Sequence, residues 1–167
     1  VGVMSFSTRV RPSYDTAYSY VVGSGAETTD RRRGICLVIT SSATMFVGAK
    51  NNDKKTSTGY FSFTKADVLD IVAVFDLNNL YVYINGVLVK TQAATTNTDA
   101  EVTSLPYTAH IGGPASGSSN TFSGYMEHFA TYDRVLTQED VTALRTQTTD
   151  TIAGIRHYWP LNDGVDK

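Results

Sequence analysis

Apolar side chains recur at every second position through much of this chain. Met4, Phe6, Thr8 and Val10 alternate with Ser5, Ser7, Arg9 and Arg11 until Pro12, the period of a strand with one buried face that ends where a backbone donor is missing. The period returns in Leu80-Tyr81-Val82-Tyr83-Ile84 and Val87-Leu88-Val89-Lys90, on either side of Asn85-Gly86. A two-residue type I′ turn needs φ > 0 at both central positions, which Asn-Gly adopts at low steric cost. The pattern predicts a hairpin with Ile84 opposite Val87 and Val82 opposite Val89. Leu80, Val82, Ile84, Val87 and Val89 then line one face, the core side, and Tyr81, Tyr83, Leu88 and Lys90 the other.

The remaining elements follow from the same reading. Strands are expected at 18–22, 35–40, 44–47, 109–111, 125–132 and 155–161, with 35–40 and 44–47 joined as a hairpin across Ser41-Ser42. The stretch 60–63 is short and aromatic. Val68 to Phe75 is apolar at both parities, as in a central strand covered on both faces. Residues 23–33, 51–55, 76–79 and 112–120 read as loops or turns, and 91–104 as an exposed edge or a long loop. Thr137-Gln138-Glu139-Asp140 opens the one expected helix, with Thr137 as cap, two carboxylates in the positive first turn, and Val141 and Leu144 as its apolar edge. Many short strands, turn signals between them and one short helix predict an all-β fold, an antiparallel β-sandwich of jelly-roll type. With no internal repeat and no linker, residues 1–167 read as a single domain.

Composition narrows the classes. A chain of 167 residues with 41% hydrophobic and 18% charged residues supports one folded core. The net charge of −2 supplies no general attraction to nucleic acid, and no apolar run approaches the ~20 residues of a membrane helix. The first residues lack the basic and apolar regions of a signal peptide. The start at Val1 rather than Met points to processing or excision from something longer. Cys36 is the single cysteine and, within Ile35-Cys36-Leu37-Val38-Ile39, reads as a small buried hydrophobe. The absence of disulfides and of Asn-X-Ser/Thr sequons suits a bacterial or viral surface protein.

Phe75-Asp76-Leu77-Asn78-Asn79-Leu80-Tyr81-Val82-Tyr83-Ile84-Asn85-Gly86 resembles the "yd…l.lYvNG" segment of concanavalin A-like, laminin G-like jelly rolls. His110-Ile111-Gly112 is similar to the strand that follows there, Phe122 to Val141 to the closing "f.G.iDevriYdraLs.eei" segment, and Met4 to Pro12 to an early strand. The segments occur in family order. One departs from it: the family's opening strand resembles His157-Tyr158-Trp159-Pro160-Leu161-Asn162-Asp163-Gly164, which here comes last, at 156–164. A circular permutation, a strand that completes a neighbouring subunit's sheet, and the start of a further module each account for it.

The resemblance includes glucanases, whose strand carries Glu-x-Asp-x-x-Glu to flank a glycosidic bond with two carboxyls. That pattern is missing here. Asp67 and Asp70 fall on opposite strand faces. Glu127, at the family's usual acidic position, is placed on the Tyr125/Phe129 face and reads as a hydrogen-bonded structural carboxylate. His110, His128 and His157 lie in three separate strands without a zinc-ligand spacing, and no Gly-x-Ser-x-Gly elbow occurs. No enzyme, no catalytic residue and no metal ligand is assigned. Calcium is compatible with the family, but the loop from Gly113 to Asn120 lacks the carboxylates that pentraxin-like relatives carry there. Asp30, Asp53 and Asp163 are the other acidic candidates, the last two reading as turn residues. Arg31-Arg32-Arg33 lacks interleaved aromatics and reads as a solvated loop.

Ten tyrosines give the best ligand argument, because aromatic faces stack on sugar C–H surfaces. Tyr14, Tyr18, Tyr20, Tyr81 and Tyr83 are the candidates. The expectation is a non-catalytic, lectin-like module without cofactor, binding a glycan or surface polysaccharide on an extracellular surface or virion, as part of a bacterial or phage surface protein. The alternative is a structural or decoration module that binds other copies of itself or another surface protein and has no sugar site.

Overall fold

The structure is a computed structural model that describes residues 3–23, 34–50, 54–96, 110–113, 120–146 and 152–161. The elements are β1 (Met4–Pro12), β2 (Ser19–Gly23), β3 (Gly34–Ile39), β4 (Thr44–Lys50), β5 (Lys54–Ser57), β6 (Phe61–Ser62), β7 (Leu69–Phe75), β8 (Asn79–Ile84), β9 (Val87–Ala93), β10 (Thr95–Thr96), β11 (His110–Ile111), β12 (Gly124–Tyr132), α1 (Gln138–Ala143) and β13 (Ile155–Pro160). The first sheet runs β13-β12-β1-β7-β8-β9 and the second β10-β5-β4-β3-β2-β11, with β6 beside β4. All ladders between these strands are antiparallel. This is the jelly-roll sandwich that the alternation predicts.

Between the sheets, Phe6, Val10, Ile71, Phe75, Val82 and Phe129 of the first meet Val21, Leu37, Ile39, Met45 and Val47 of the second. The first sheet also carries apolar packing on its outer face. There Val72, Val74, Ala130 and Tyr132 meet Leu136, Val141, Leu144 and Ile152 from α1 and its flanks. That second layer explains why β7 is apolar at both parities. It also buries Ser5 and Ser7, which alternation alone places in water. Both hydroxyls are bonded, as buried polar groups require: Ser5 Oγ donates to Arg134 O at 2.7 Å, and Ser7 Oγ lies 3.2 Å from Tyr132 Oη.

The hairpin forms at Asn85 (φ 51°) and Gly86 (φ 82°), and Ile84 lies opposite Val87 as expected. Beyond that the register differs. Tyr83 faces Leu88 and Val82 faces Lys90 rather than Val89, so Val89 is bulged out of the ladder. The bulge breaks the alternation of β9, the outermost strand; Val87 and Val89 are exposed rather than core, and Leu88 beside them is exposed too. A second correction concerns 51–55: Lys54 and Lys55 begin β5 instead of continuing a loop, and 51–53 lie outside the described residues. Thr56 Oγ1 of that strand donates to Ala93 O at 3.1 Å.

Both edges of the first sheet are guarded against pairing with another strand. The bulge at Val89 guards β9. Just past β13, Leu161 N donates inward to Glu127 O at 3.0 Å. Donors alternate along an antiparallel strand, so the neighbouring Pro160, which has no N–H, takes an outward position. β13 pairs with β12 of its own chain, Ala130 opposite Tyr158 and Phe129 opposite Trp159.

α1 forms where the sequence places it, closed by a capping box. Asp140 N donates to Thr137 Oγ1 at 3.3 Å, and Thr137 N donates to Asp140 Oδ2 at 2.7 Å. Arg134 forks onto the same carboxylate at 2.6 and 2.8 Å. Gln138 Nε2 donates to Gly86 O at 3.1 Å and Arg9 Nη2 to Arg145 O at 3.2 Å, tying the helix to the hairpin turn and to β1.

The Arg134 fork, helped by the Thr137 amide and opposed by partial burial, holds the Asp140 carboxyl at about 2, below its ordinary 3.8. A depressed folded-state value stabilises above the unfolded value and is lost as pH falls through the folded one. Asp140→Asn should therefore cost roughly 1 kcal/mol at pH 7 and flatten the loss of thermal midpoint between pH 4 and 2, read by circular dichroism melts. At Gly124 (φ +138°) a Cβ would run into the Arg11 carbonyl. Gly124→Ala should lose roughly 2–4 kcal/mol in urea unfolding.

Candidate functional site

The five candidate tyrosines separate into three places. Tyr20, on β2, lies opposite Val38 and packs on the outer face of the second sheet over Cys36, Val38 and Phe46. Tyr18 is 47% exposed and Tyr60 53%. Their rings stand 6.1 Å apart at 62°, and the Tyr60 ring lies 5.5 Å from Phe46 at 43°. Tyr18, Tyr60 and the nearly buried Phe46 thus form one aromatic surface with Tyr20 beside it. The edge-to-face geometry leaves ring area turned to solvent while Phe46 anchors the pair.

Tyr60 and Phe46 were not among the sequence candidates, although the signal for Tyr60 was present. In Tyr60-Phe61-Ser62-Phe63, Phe61 and Phe63 pack on the inter-sheet core, so the alternation sends Tyr60 to the opposite side. Phe46 is one apolar residue among many in β4 and had no such signal.

Tyr14 is apart from that surface. It is held at φ 57°, its hydroxyl donates to Ala66 O at 3.2 Å, and its ring lies 6.4 Å from Phe63 with Lys65 Nζ 4.8 Å above it. Burial pushes its phenol up. Tyr81 and Tyr83 pack against the cluster under α1. Tyr81 Oη accepts from Asn79 Nδ2 at 3.2 Å, and burial pushes the Tyr83 phenol up.

A second group, of charged side chains, gathers where α1 leaves the first sheet's outer face uncovered. In the β1–β12 ladder Arg9 faces His128 and Val10 faces Met126, so Glu127 is the extra residue of a β-bulge. The bulge re-aims it. Instead of sharing the face of Phe129, which is in the core, Glu127 points outward to the arginines. Its Oε1 accepts from Arg11 Nε at 3.0 Å and forms an ion pair with Arg11 Nη2 at 2.9 Å, and its Oε2 lies 3.8 Å from Arg9 Nη1. Arg9 Nε bonds Asp70 Oδ1 at 2.5 Å, and Arg145 Nε stands 4.0 Å from Asp70 Oδ2. Glu127 is therefore hydrogen-bonded, as the sequence suggests, and also ion-paired; it shares the outer face with Tyr125, and Phe129 alone of the expected pair is on the core side. The Asp70 carboxylate holds Arg9 firmly charged. His128 shares this face, its ring 6.4 Å from Tyr158, and burial with help from the Arg9 charge lowers its pKa.

His110, His128 and His157 fall on β11, β12 and β13. Among the described residues no group of three His, Cys, Asp or Glu side chains is placed to hold a metal ion. Asp30, Asp53, Asp163, Arg31-Arg32-Arg33 and 114–119 of the Gly-rich loop lie outside the described residues. Cys36 is buried. No described helix is long and apolar enough to cross a membrane.

Several solved structures share the fold. A proposed carbohydrate-binding protein from Bacteroides ovatus superposes with a TM-score of 0.65 at 12% identity over 98% of this chain and 46% of its own, so this chain spans less than half of that protein. The CBM40 module of the Ruminococcus gnavus IT-sialidase matches at 0.59 and 14% identity, covering 86% of this chain and 82% of the module, and has been solved with sialyllactose. The heptameric SAP-like pentraxin of Limulus polyphemus matches at 0.52 and 15% identity, over 87% and 70%. No curated protein matches the sequence. A model of the laminin G-like group matches residues 2–142, spanning β1 to α1 and so both sheets of the sandwich, and the chain belongs to the concanavalin A-like lectin/glucanases superfamily.

Proposed function

We propose that this protein is a non-catalytic, lectin-like module that binds glycans. The observation that carries the reading is the exposed pair Tyr18 and Tyr60 backed by Phe46. A pyranose ring presents an apolar C–H face that stacks on such rings, at roughly 1 kcal/mol beyond area burial. Tyr20 extends the same surface, while Tyr14, Tyr81 and Tyr83 lie apart from it, packed against protein. Solved neighbours that include a carbohydrate-binding module support the reading.

The chemistry of the carboxylates supports a non-catalytic role. Glycoside hydrolysis needs two carboxyls turned toward a bound sugar. Asp70 and Glu127 are each engaged by an arginine. The setting we infer is an extracellular surface or virion, within a bacterial or phage surface protein, with β13 as the displaced opening strand of the single domain 1–167. The exposed run Val87-Leu88-Val89 favours a second reading, a structural module that docks a protein through that edge.

A glycan array with the intact chain separates the two. The glycan reading expects saturable binding of a defined saccharide, weakened roughly tenfold or more by Tyr60→Ala and by Tyr18→Ala with the melting curve unchanged. A blank array together with a stable protein complex lost on Leu88→Asp would replace it with the docking reading.

A further inference from the structure

The bulge at Glu127 does more than rotate one side chain. A regular strand sends neighbouring residues to opposite faces. Here Glu127 and His128 both reach the outer face, one to Arg9 and Arg11, the other to Tyr158. Tyr125 is directly opposite Arg11 in the ladder, so it stands on that face too, and it is 77% exposed. The result is a polar corner bounded by Tyr125, by Tyr158 on the edge strand, and by Arg145 after α1.

The charges of this corner do not cancel. Among the described residues, Arg9, Arg11 and Arg145 face Asp70 and Glu127, which leaves one positive charge in excess within this group. The five groups also differ in how far they are committed. Arg9 is consumed by Asp70, Glu127 and the Arg145 carbonyl. Arg11 is more open: Glu127 Oε1 accepts from its Nε and ion-pairs with its Nη2, which orients the guanidinium and leaves the Nη1 hydrogens for a ligand. Its side chain is 55% exposed. Glu127 Oε2, 3.8 Å from its nearest cation, has acceptor capacity left for hydroxyl donors.

We infer that this corner is a second saccharide site, distinct from the Tyr18–Tyr60 surface, and that it takes a sugar bearing a carboxylate. Arg11 supplies a charge-assisted bond to the carboxylate. Glu127 accepts from a ring hydroxyl, and Tyr125 offers a face for the C–H surface. The inference rests on the glycan-binding reading and names the ligand class of a different face.

Titration calorimetry of the intact chain with two matched pairs tests it: trigalacturonate against its methyl ester, and 3′-sialyllactose against lactose. The expected result is an acidic member binding roughly tenfold or more tightly than its neutral counterpart, with affinity falling as salt rises. The pair that shows it distinguishes a uronate from a sialate. The preference should vanish in Arg11→Gln and persist in Tyr60→Ala. Tyr125→Ala, at a position too exposed to disturb folding, should weaken the acidic member severalfold. Equal or absent binding within both pairs, a preference that survives Arg11→Gln, or indifference to Tyr125→Ala would each overturn the inference. Because Tyr60 is read separately, these outcomes leave a neutral-glycan result on the array standing or falling by itself.

Discussion

The ladder that holds β1 between β12 and β7 is the constraint on which the remaining structure is assembled. All three strands are buried on both sides along part of their length. Phe6, Ile71 and Phe129 face the second sheet, while Val72, Ala130 and Tyr132 face α1 and its flanks. A strand covered twice cannot slip by one residue without exchanging its two sets of side chains. The register is therefore fixed by two packing layers at once. α1, only six residues long, is far too short to be stable alone and depends on that outer layer, on its capping box and on the Arg9 and Gln138 bonds.

The same arrangement decides which surfaces are available for binding. α1 covers one part of the first sheet's outer face and buries Tyr81 and Tyr83 partly beneath it. The remainder, toward β12 and β13, is left to Arg9, Arg11, Glu127 and His128. On the second sheet, Phe46 and Tyr20 close over Cys36 and Val38, and the aromatic surface of Tyr18 and Tyr60 continues outward from them. Membership of the lectin/glucanase superfamily thus meets two chemically different faces in this chain, one aromatic and one ionic.

Much of the sandwich was legible because alternation, turn chemistry and capping each act locally. The Asn85-Gly86 turn, the two-sided β7 and the Thr137 cap all depend on neighbouring residues and were readable from them. What escaped was set at a distance. Ser5 and Ser7 look solvent-facing until a helix more than a hundred residues later covers them. The bulges at Val89 and Glu127 leave no mark in composition, yet one puts Lys90 where Val89 was expected opposite Val82 and the other turns Glu127 away from the face of Phe129; Val87 keeps its expected partner Ile84 and is exposed because β9 is the edge strand. The aromatic surface was half visible: Tyr18 and Tyr20 stood out as tyrosines on a strand, while Tyr60 and Phe46 join them only through the pairing of β6 with β4.

Pro160 and the Val89 bulge have a bearing on crowding. An open sheet invites the strand of any nearby copy to extend it, and the invitation grows with local concentration. Here the last strand on one side lacks a donor where an incoming strand needs one, and the last strand on the other is out of step. A neighbouring copy therefore meets no regular ladder at either edge of the first sheet, and contact with that sheet is left to its side chains.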